Sequence, residues 1–361
     1  SANNNGWSLV GYNGTETDLV LPNKINGNNY SIGEYAFARE YYESLKMSDG
    51  VTKIESGAFY YSRIKKIEIG KNVTEIGDYV FYDCIELKSL TIPNSVKKLG
   101  ESAFSYCIGL TELILPEWLE EIPVELCSGC SSLTSITIPD KVTKIGTRAF
   151  ANCDGITSVT IGKNVTIIDH YAFSECSNLL TISIPANVTE IGQAAFAGCK
   201  FLKSITVDEA NEFYYSSGNC LITKKDILNT NGTLKYAAGT IMFGCKNSVI
   251  PSDGFATIIN SYAFQYLDAL RTIKISEGIK TIKSYVFYQD TKLKEIYLPK
   301  SITEIGSRAF YGCSALMDVH YAGTMDEWKA ITKTSDWNTN AGDFTIRCTD
   351  GNLDKNGNEI E

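Results

Sequence analysis

Eleven cysteines and only two histidines bound the chemistry open to this 361-residue chain. Seven of the cysteines, Cys84, Cys107, Cys130, Cys153, Cys176, Cys199 and Cys313, fall at one fixed place, three residues after a phenylalanine or after Cys127 in its stead. A bridge needs Cβ vectors that converge, whereas equivalent positions in stacked repeats hold them parallel. The column therefore reads as small buried apolar residues with free thiols. The nearest pair, Cys127 and Cys130, occupies repeat positions rather than a zinc knuckle, so no metal site is expected. Cys220, Cys245 and Cys348 lie outside the column, and a Cys220–Cys245 bridge stays open. His170 and His320 are 150 residues apart and are not expected to meet. With no G-x-S-x-G, H-E-x-x-H or phosphate-binding loop, the expectation is a non-enzyme with no catalytic residue and no cofactor. The end segment from Asp350 resembles a calcium loop, yet Lys355 stands where the sharp turn needs glycine. It reads as a hairpin tip.

The elements that carry this column repeat. Val142, Ile145, Gly146, Ala149, Phe150 and Cys153 return 23 residues later as Val165, Ile168, Asp169, Ala172, Phe173 and Cys176. The phenylalanines beat at Phe37, Phe59, Phe81, Phe104, Phe150, Phe173, Phe196, Phe264, Phe287 and Phe310. Such a period marks a solenoid, whose coils bury their apolar faces only against one another. Within a unit, Leu133-x-x-Ile136-x-Ile138 alternates as a short strand with one buried face, and Pro139 ends it. Val142 and Ile145 predict a second extended stretch. The Ala-Phe segment has room for a helical or 3₁₀ turn at most. The spacing thus predicts a mostly β, right-handed superhelix of about eleven coils, with a rise of ~4.8 Å per coil, in a curved rod on the order of 50 Å long.

Length alone would suggest two domains, but a repeat core grows with copy number, so one architectural domain is expected. Apolar content of 43% and charged content of 21% are those of a folded protein rather than a disordered one. A net charge of −9 without a basic stripe argues against nucleic acid. No run of apolar residues is long enough to span a membrane. The polar start, Ser1-Ala2-Asn3-Asn4-Asn5, reads as a trimmed terminus or linker. Three regions break the period. Residues 7–36 read as an amino-terminal hairpin cap turning at Asn13-Gly14, before regular repeats over 37–207. Residues 208–248 read as a β-hairpin island, followed by repeats over 249–318, and 319–361 as a carboxy-terminal cap.

The unit I-P-x-x-V-T-x-I-G-x-x-A-F-x-x-C-x-x-L-x-x-I, intact from Ile138-Pro139 to Val159 and from Ile184-Pro185 to Ile205, resembles the BspA-like class of leucine-rich repeat proteins. The resemblance covers about residues 8–350. It implies a bacterial surface or secreted protein whose solenoid binds host or microbial macromolecules, and it carries no conserved active site. Pro123, Leu126-Cys127 and Asp169 depart from the unit, which leads to an expectation of locally distorted coils there.

The outward strand positions form the best candidate surface. In the first half they are mostly Ser and Thr, including Thr91, Thr137 and Thr160, which are good strand residues in any case. After the island they become Lys274, Tyr297 and His320. Trp118 is expected to project from an irregular coil. Phe213, Tyr214 and Tyr215 on the island are candidates too, although they would equally fill the underside of its hairpin. The leading expectation is a monomeric binding or adhesion module that engages an extracellular protein through the island and the carboxy-terminal strip. The alternative is a spacer or glycan-targeting module of a larger surface protein.

Overall fold

Each coil lays down two short strands, and equivalent strands of successive coils pair in parallel. A computed structural model describes residues 6–361 together with the backbone of residues 2 and 3. Ser1, Asn4 and Asn5 of the polar amino-terminal segment lie outside the described residues. The residues divide by packing into two units, Ser1–Leu179 and Leu180–Glu361.

In the first unit, Ser135–Thr137 pairs with Ser158–Thr160, residue for residue at the 23-residue step. The second stretch behaves likewise, with Lys144–Ile145 between Glu121–Ile122 and Ile167–Ile168. Alternation places the middle residue of the first strand inward, so Ile136 is buried while Ser135 and Thr137 are exposed.

The Ala-Phe segment forms a third ladder that is neither strand nor helix. In the coil of Phe59, the N–H groups of Gly57, Phe59 and Tyr61 donate to the carbonyls of Asp78, Val80 and Tyr82 in the next coil, at 2.9, 2.9 and 2.8 Å. The intervening N–H groups of Ala58, Tyr60 and Ser62 close turns onto the carbonyls three residues back. This alternation recurs along the unit. It requires left-handed backbone two residues before and two after the phenylalanine position, as at Tyr79 (φ 55°) and Asp83 (φ 58°) or Arg148 (φ 53°) and Asn152 (φ 57°). Non-glycine residues there are strained. The crossing hydrogen bonds hold them.

Under this turn the phenylalanines stack, with centroids 5.2 Å apart for Phe37–Phe59 and Phe59–Phe81 and 5.4 Å for Phe150–Phe173. Beside the stack, each column thiol donates to a carbonyl of the preceding coil. Cys84, Cys107, Cys130 and Cys176 reach those of Phe59, Phe81, Phe104 and Phe150, and Cys153 reaches that of Cys127, all at 3.0–3.2 Å. All eleven cysteines are free and all but Cys348 are buried, Cys220 and Cys245 included. Burial pushes the Cys84, Cys130, Cys153 and Cys176 thiols well above their usual range.

Two expectations for this unit need correction. Residues 7–36 do not form a hairpin. Gly6–Leu9 pairs in parallel with Tyr30–Ile32, while Asp18–Val20 pairs in parallel with Tyr41–Lys46 in the other ladder. The eight residues between the two strands are too many for a two-residue turn, and Leu19 and Leu21 find burial by facing inward as a first coil. The departures at Leu126-Cys127 and Asp169 do not distort their coils, whereas Pro123, which has no N–H, omits the rung that Gly146 makes one coil on. Leu126 and Cys127 keep the crossing bonds, with Cys127 N–H to the Ala149 carbonyl at 2.8 Å, and Asp169 N–H meets the Ile145 carbonyl at 2.9 Å as Gly146 meets Ile122. The ladder is made of backbone, so it tolerates any side chain that leaves the N–H in place.

In the second unit the island is part of the sheet. Tyr214–Ser217 and Cys220–Thr223 form a hairpin, Cys220–Thr223 pairs antiparallel with Thr240–Phe243, and that strand pairs in parallel with Ile258–Ile259 of the next coil. Both inner strands are buried along their whole length. A second hairpin joins Ile227–Leu228 to Leu234–Tyr236. The segment read as a cap begins with a full coil instead. Asp318–Tyr321 pairs with Thr345–Arg347 at a 27-residue step, and the extra length holds the helix Met325–Ala330. Thr324 caps this helix in a reciprocal box with Glu327. Trp337 meets Phe310 edge-on at 5.6 Å, and Lys333 stands in register with Ile305. Its amine donates to the carbonyls of Trp328 and Ile331, and burial pushes its pKa down to about 8. The strands Asn352–Asp354 and Glu359–Ile360 close the edge as a hairpin. Its turn is held by N–H groups of Asn356 and Asn358 on the Asp354 carboxylate.

One column position in this unit is filled by Asp290. It is fully buried, its Oδ1 accepts the Leu267 N–H at 2.6 Å, and its Oδ2 has no partner among the described residues. Burial, reinforced by Asp268, holds its carboxyl well above the usual range.

Three outcomes follow from this packing. Phe173→Ala should lower stability in urea by ~3 to 5 kcal/mol, whereas Thr160→Ala should change it by less than ~0.5 kcal/mol. The buried thiols should resist labelling in native protein and all react in denaturant. For Asp290, a raised folded pKa means that its favourable contribution is complete below the unfolded pKa and fades as pH rises through the folded one. Asp290→Cys should therefore melt higher than the parent at pH 8, by a margin that shrinks toward pH 4. Equal melting of the two at pH 8 would contradict the burial argument.

Candidate functional site

Four adjacent parallel strands of the second unit, Thr272–Lys274, Glu295–Leu298, Asp318–Tyr321 and Thr345–Arg347, build the site. Alternation sends Ile273, Ile296, Val319 and Ile346 into the core. Lys274, Tyr297, His320 and Arg347, which pair in register, therefore line up side by side on the opposite face. They border a cleft of about 750 Å³ whose floor includes the buried Ile250, Ile275, Leu298 and Tyr321.

The Tyr297 and His320 rings stack, 4.3 Å between centroids and 6° from parallel. This fixes both side chains at little further entropy cost to a ligand. The Tyr297 hydroxyl donates to Glu295 at 3.3 Å, and desolvation, aided by Glu295, pushes its pKa up. Arg347 Nε pairs with Asp318 at 2.6 Å. Lys274 makes no ion pair among the described residues, so the row holds one uncompensated cation. Cys348 also lines the cleft, its thiol pushed up by burial. An apolar floor beneath one aromatic pair and a free ammonium suits ligand binding. Among the described residues no group of three or more His, Cys, Asp or Glu is placed to hold a metal. Their helices include none long and apolar enough to cross a membrane.

The structure thus brings together Lys274, Tyr297 and His320 and leaves the other candidates elsewhere. Tyr214 is wholly buried and its hydroxyl accepts the Ile191 N–H at 3.0 Å, so it is a packing residue and not a ligand contact. Phe213 is half-buried with the Lys225 ammonium 3.9 Å above its ring. Tyr215 is half-buried, packs against the core and lies 6.2 Å from Phe255. None of the three lines the cleft. Trp118, in the first unit, does not project freely. It is half-buried, the Lys97 ammonium covers it at 4.9 Å, and its Nε1 is buried without a partner among the described residues. Arg347 escapes the reading of the sequence, because the 27-residue step hides it in an apparent cap. The alternation of Phe344, Ile346 and Arg347's neighbours is the signal that could have found it.

The family described as BspA type leucine rich repeat region, whose model holds six copies of the unit, matches residues 17–132, 120–248 and 242–330. The chain belongs to this family. As a BspA-type repeat protein it is similar to a leucine rich cell surface protein from Faecalibacterium prausnitzii A2-165, at 25% identity over 93% of this chain and 96% of that one, with a TM-score of 0.55. It is also similar in fold to a leucine-rich repeat protein from Bacteroides ovatus ATCC 8483, at 22% identity over 91% of each chain, TM-score 0.50. No curated protein matches it. The leucine-rich repeat solenoid expected from the spacing is the fold this chain shares with both proteins.

Proposed function

We propose that this BspA-type repeat chain is a binding module of a bacterial cell surface that engages an extracellular protein through the cleft of its second unit. The observation that carries the reading is the registered row Lys274, Tyr297, His320 and Arg347 above an apolar floor. Aromatic and arginine side chains around a water-poor pocket dominate interface energetics. A stacked pair loses little freedom on binding. The name of the Faecalibacterium relative supports the surface location, and family membership supports a repeat scaffold used for binding. Tyr214 and the continuous sheet through Thr240–Phe243 change the role of the island. It holds the scaffold, so the cleft is proposed without it.

The test is an array of extracellular-matrix proteins and glycans probed with the full chain, followed by titration of the hits. A protein hit whose affinity falls about tenfold in Tyr297→Ala and in Lys274→Glu, with unchanged melting temperature, is the expected result. A protein hit indifferent to both variants would remove the cleft from the proposal. Hits confined to glycans would replace the protein partner with a saccharide.

A further inference from the structure

Tyrosines crowd the turn ladder of the first unit. Tyr35 and Tyr79 stand two residues before Phe37 and Phe81, Tyr60 and Tyr82 just after Phe59 and Phe81, and Tyr61 and Tyr106 two after Phe59 and Phe104. Their rings brace one another. Tyr60 stacks on Tyr82 at 5.2 Å, Tyr61 meets Tyr60 edge-on at 4.5 Å, and Tyr35 meets Tyr60 edge-on at 6.0 Å. Tyr35, Ala38, Arg39, Tyr60 and Tyr79 enclose a hollow of about 570 Å³. Gly57 allows it, since a Cβ there would come within 2.4 Å of the Tyr35 ring. Tyr35 and Tyr79 remain 59% and 44% exposed.

The polar atoms of the hollow narrow the ligand. The Arg39 guanidinium and the Tyr35 and Tyr79 hydroxyls have no side-chain hydrogen bond or ion pair among the described residues, and no carboxylate or side-chain amide lines the space. Guanidinium only donates. The tyrosine hydroxyls donate or accept, so a fitting ligand presents flat apolar faces to the rings and an acceptor to Arg39. Sugars carry donors and acceptors in similar number. A proline-rich strand offers carbonyls without N–H groups. Its polyproline II helix advances ~9.3 Å per turn, a length comparable to the two coil rises of ~4.8 Å each that step from the coil of Tyr35 to the coil of Tyr79. Charge points the same way. Glu34 and Glu40, exposed on either side of the hollow in the chain, form no ion pair among the described residues, and Asp78 adjoins Tyr79. These acids lie outside the lining, whose one charged group is Arg39, so they complement basic residues that flank the prolines and not any that enter the hollow.

We propose that the hollow formed by Tyr35, Ala38, Arg39, Tyr60 and Tyr79 binds a basic, proline-rich segment in the polyproline II conformation, the mode in which aromatic grooves read such chains. The site is separate from the cleft of the second unit and stands whether or not the cleft proposal does.

The test is fluorescence anisotropy of the full chain with a labelled peptide of repeated Pro-Pro-Lys, against a peptide of repeated Ala-Ala-Lys with the same charge and against neutral oligosaccharides as competitors. The variants are Tyr35→Asn and Tyr79→Asn, because asparagine accepts the left-handed backbone at both positions; circular dichroism and melting temperature check their fold. Saturable binding of the proline peptide, about tenfold weaker in either variant and for the alanine peptide, is expected. Equal binding of the two peptides, indifference to both variants, absence of saturable binding, or displacement by a neutral oligosaccharide would each overturn the proposal.

Discussion

The structure depends on backbone amides that serve two masters in turn. Along the Ala-Phe segment every second N–H reaches the following coil and the others close turns within their own. No coil satisfies its amides alone, so the molecule is cooperative between neighbours in the sense of a one-dimensional stack. The left-handed residues of this segment are the cost of the alternation, and the crossing bonds over-determine them. Once the backbone is fixed in this way, the phenylalanine and thiol columns follow, since each inward Cβ is placed over its equivalent one coil away.

The same rule explains which parts of the fold are legible in the sequence. Columns such as Phe150 and Phe173, or Cys153 and Cys176, recur because a stacked interior repeats its environment. The family unit, the two strands per coil and the inward face of Ile136 are therefore readable. The amino-terminal coil misleads because its eight-residue link contains Asn13-Gly14, whose turn chemistry is local, while pairing with Tyr30–Ile32 is not. The island is legible as strands but not as sheet, because the pairing of Thr240–Phe243 with Ile258–Ile259 leaves no period to count.

The candidate sites are legible in proportion to their registration. Lys274, Tyr297 and His320 share a strand position at the regular step, so the spacing of the residues alone reveals their alignment. Arg347 lies beyond an insertion and is lost to that count. Tyr214 looks like an interface residue because aromatic identity does not reveal whether a ring faces solvent or the underside of its own hairpin. The tyrosine hollow is hidden for a different reason. Its residues come from three separate columns, and only the path of the turn backbone brings Tyr35, Tyr60 and Tyr79 together.

The last coil bears on how such a chain changes length over generations. A gene that duplicates one regular unit in the middle of either set of repeats supplies a coil whose phenylalanine, thiol and strand positions meet equivalents on both sides. Duplication beyond Asp318 would meet different neighbours. There Trp337 lies across the end of the phenylalanine stack, and Lys333 presents an amine in the column where the three coils before it carry Ile259, Ile282 and Ile305. Past Thr345–Arg347 the sheet turns back on itself through the antiparallel strands Asn352–Asp354 and Glu359–Ile360. The carboxy-terminal coil thus offers a regular unit a surface unlike its own, and a duplicated copy fits better among the repeats upstream of it than against that face.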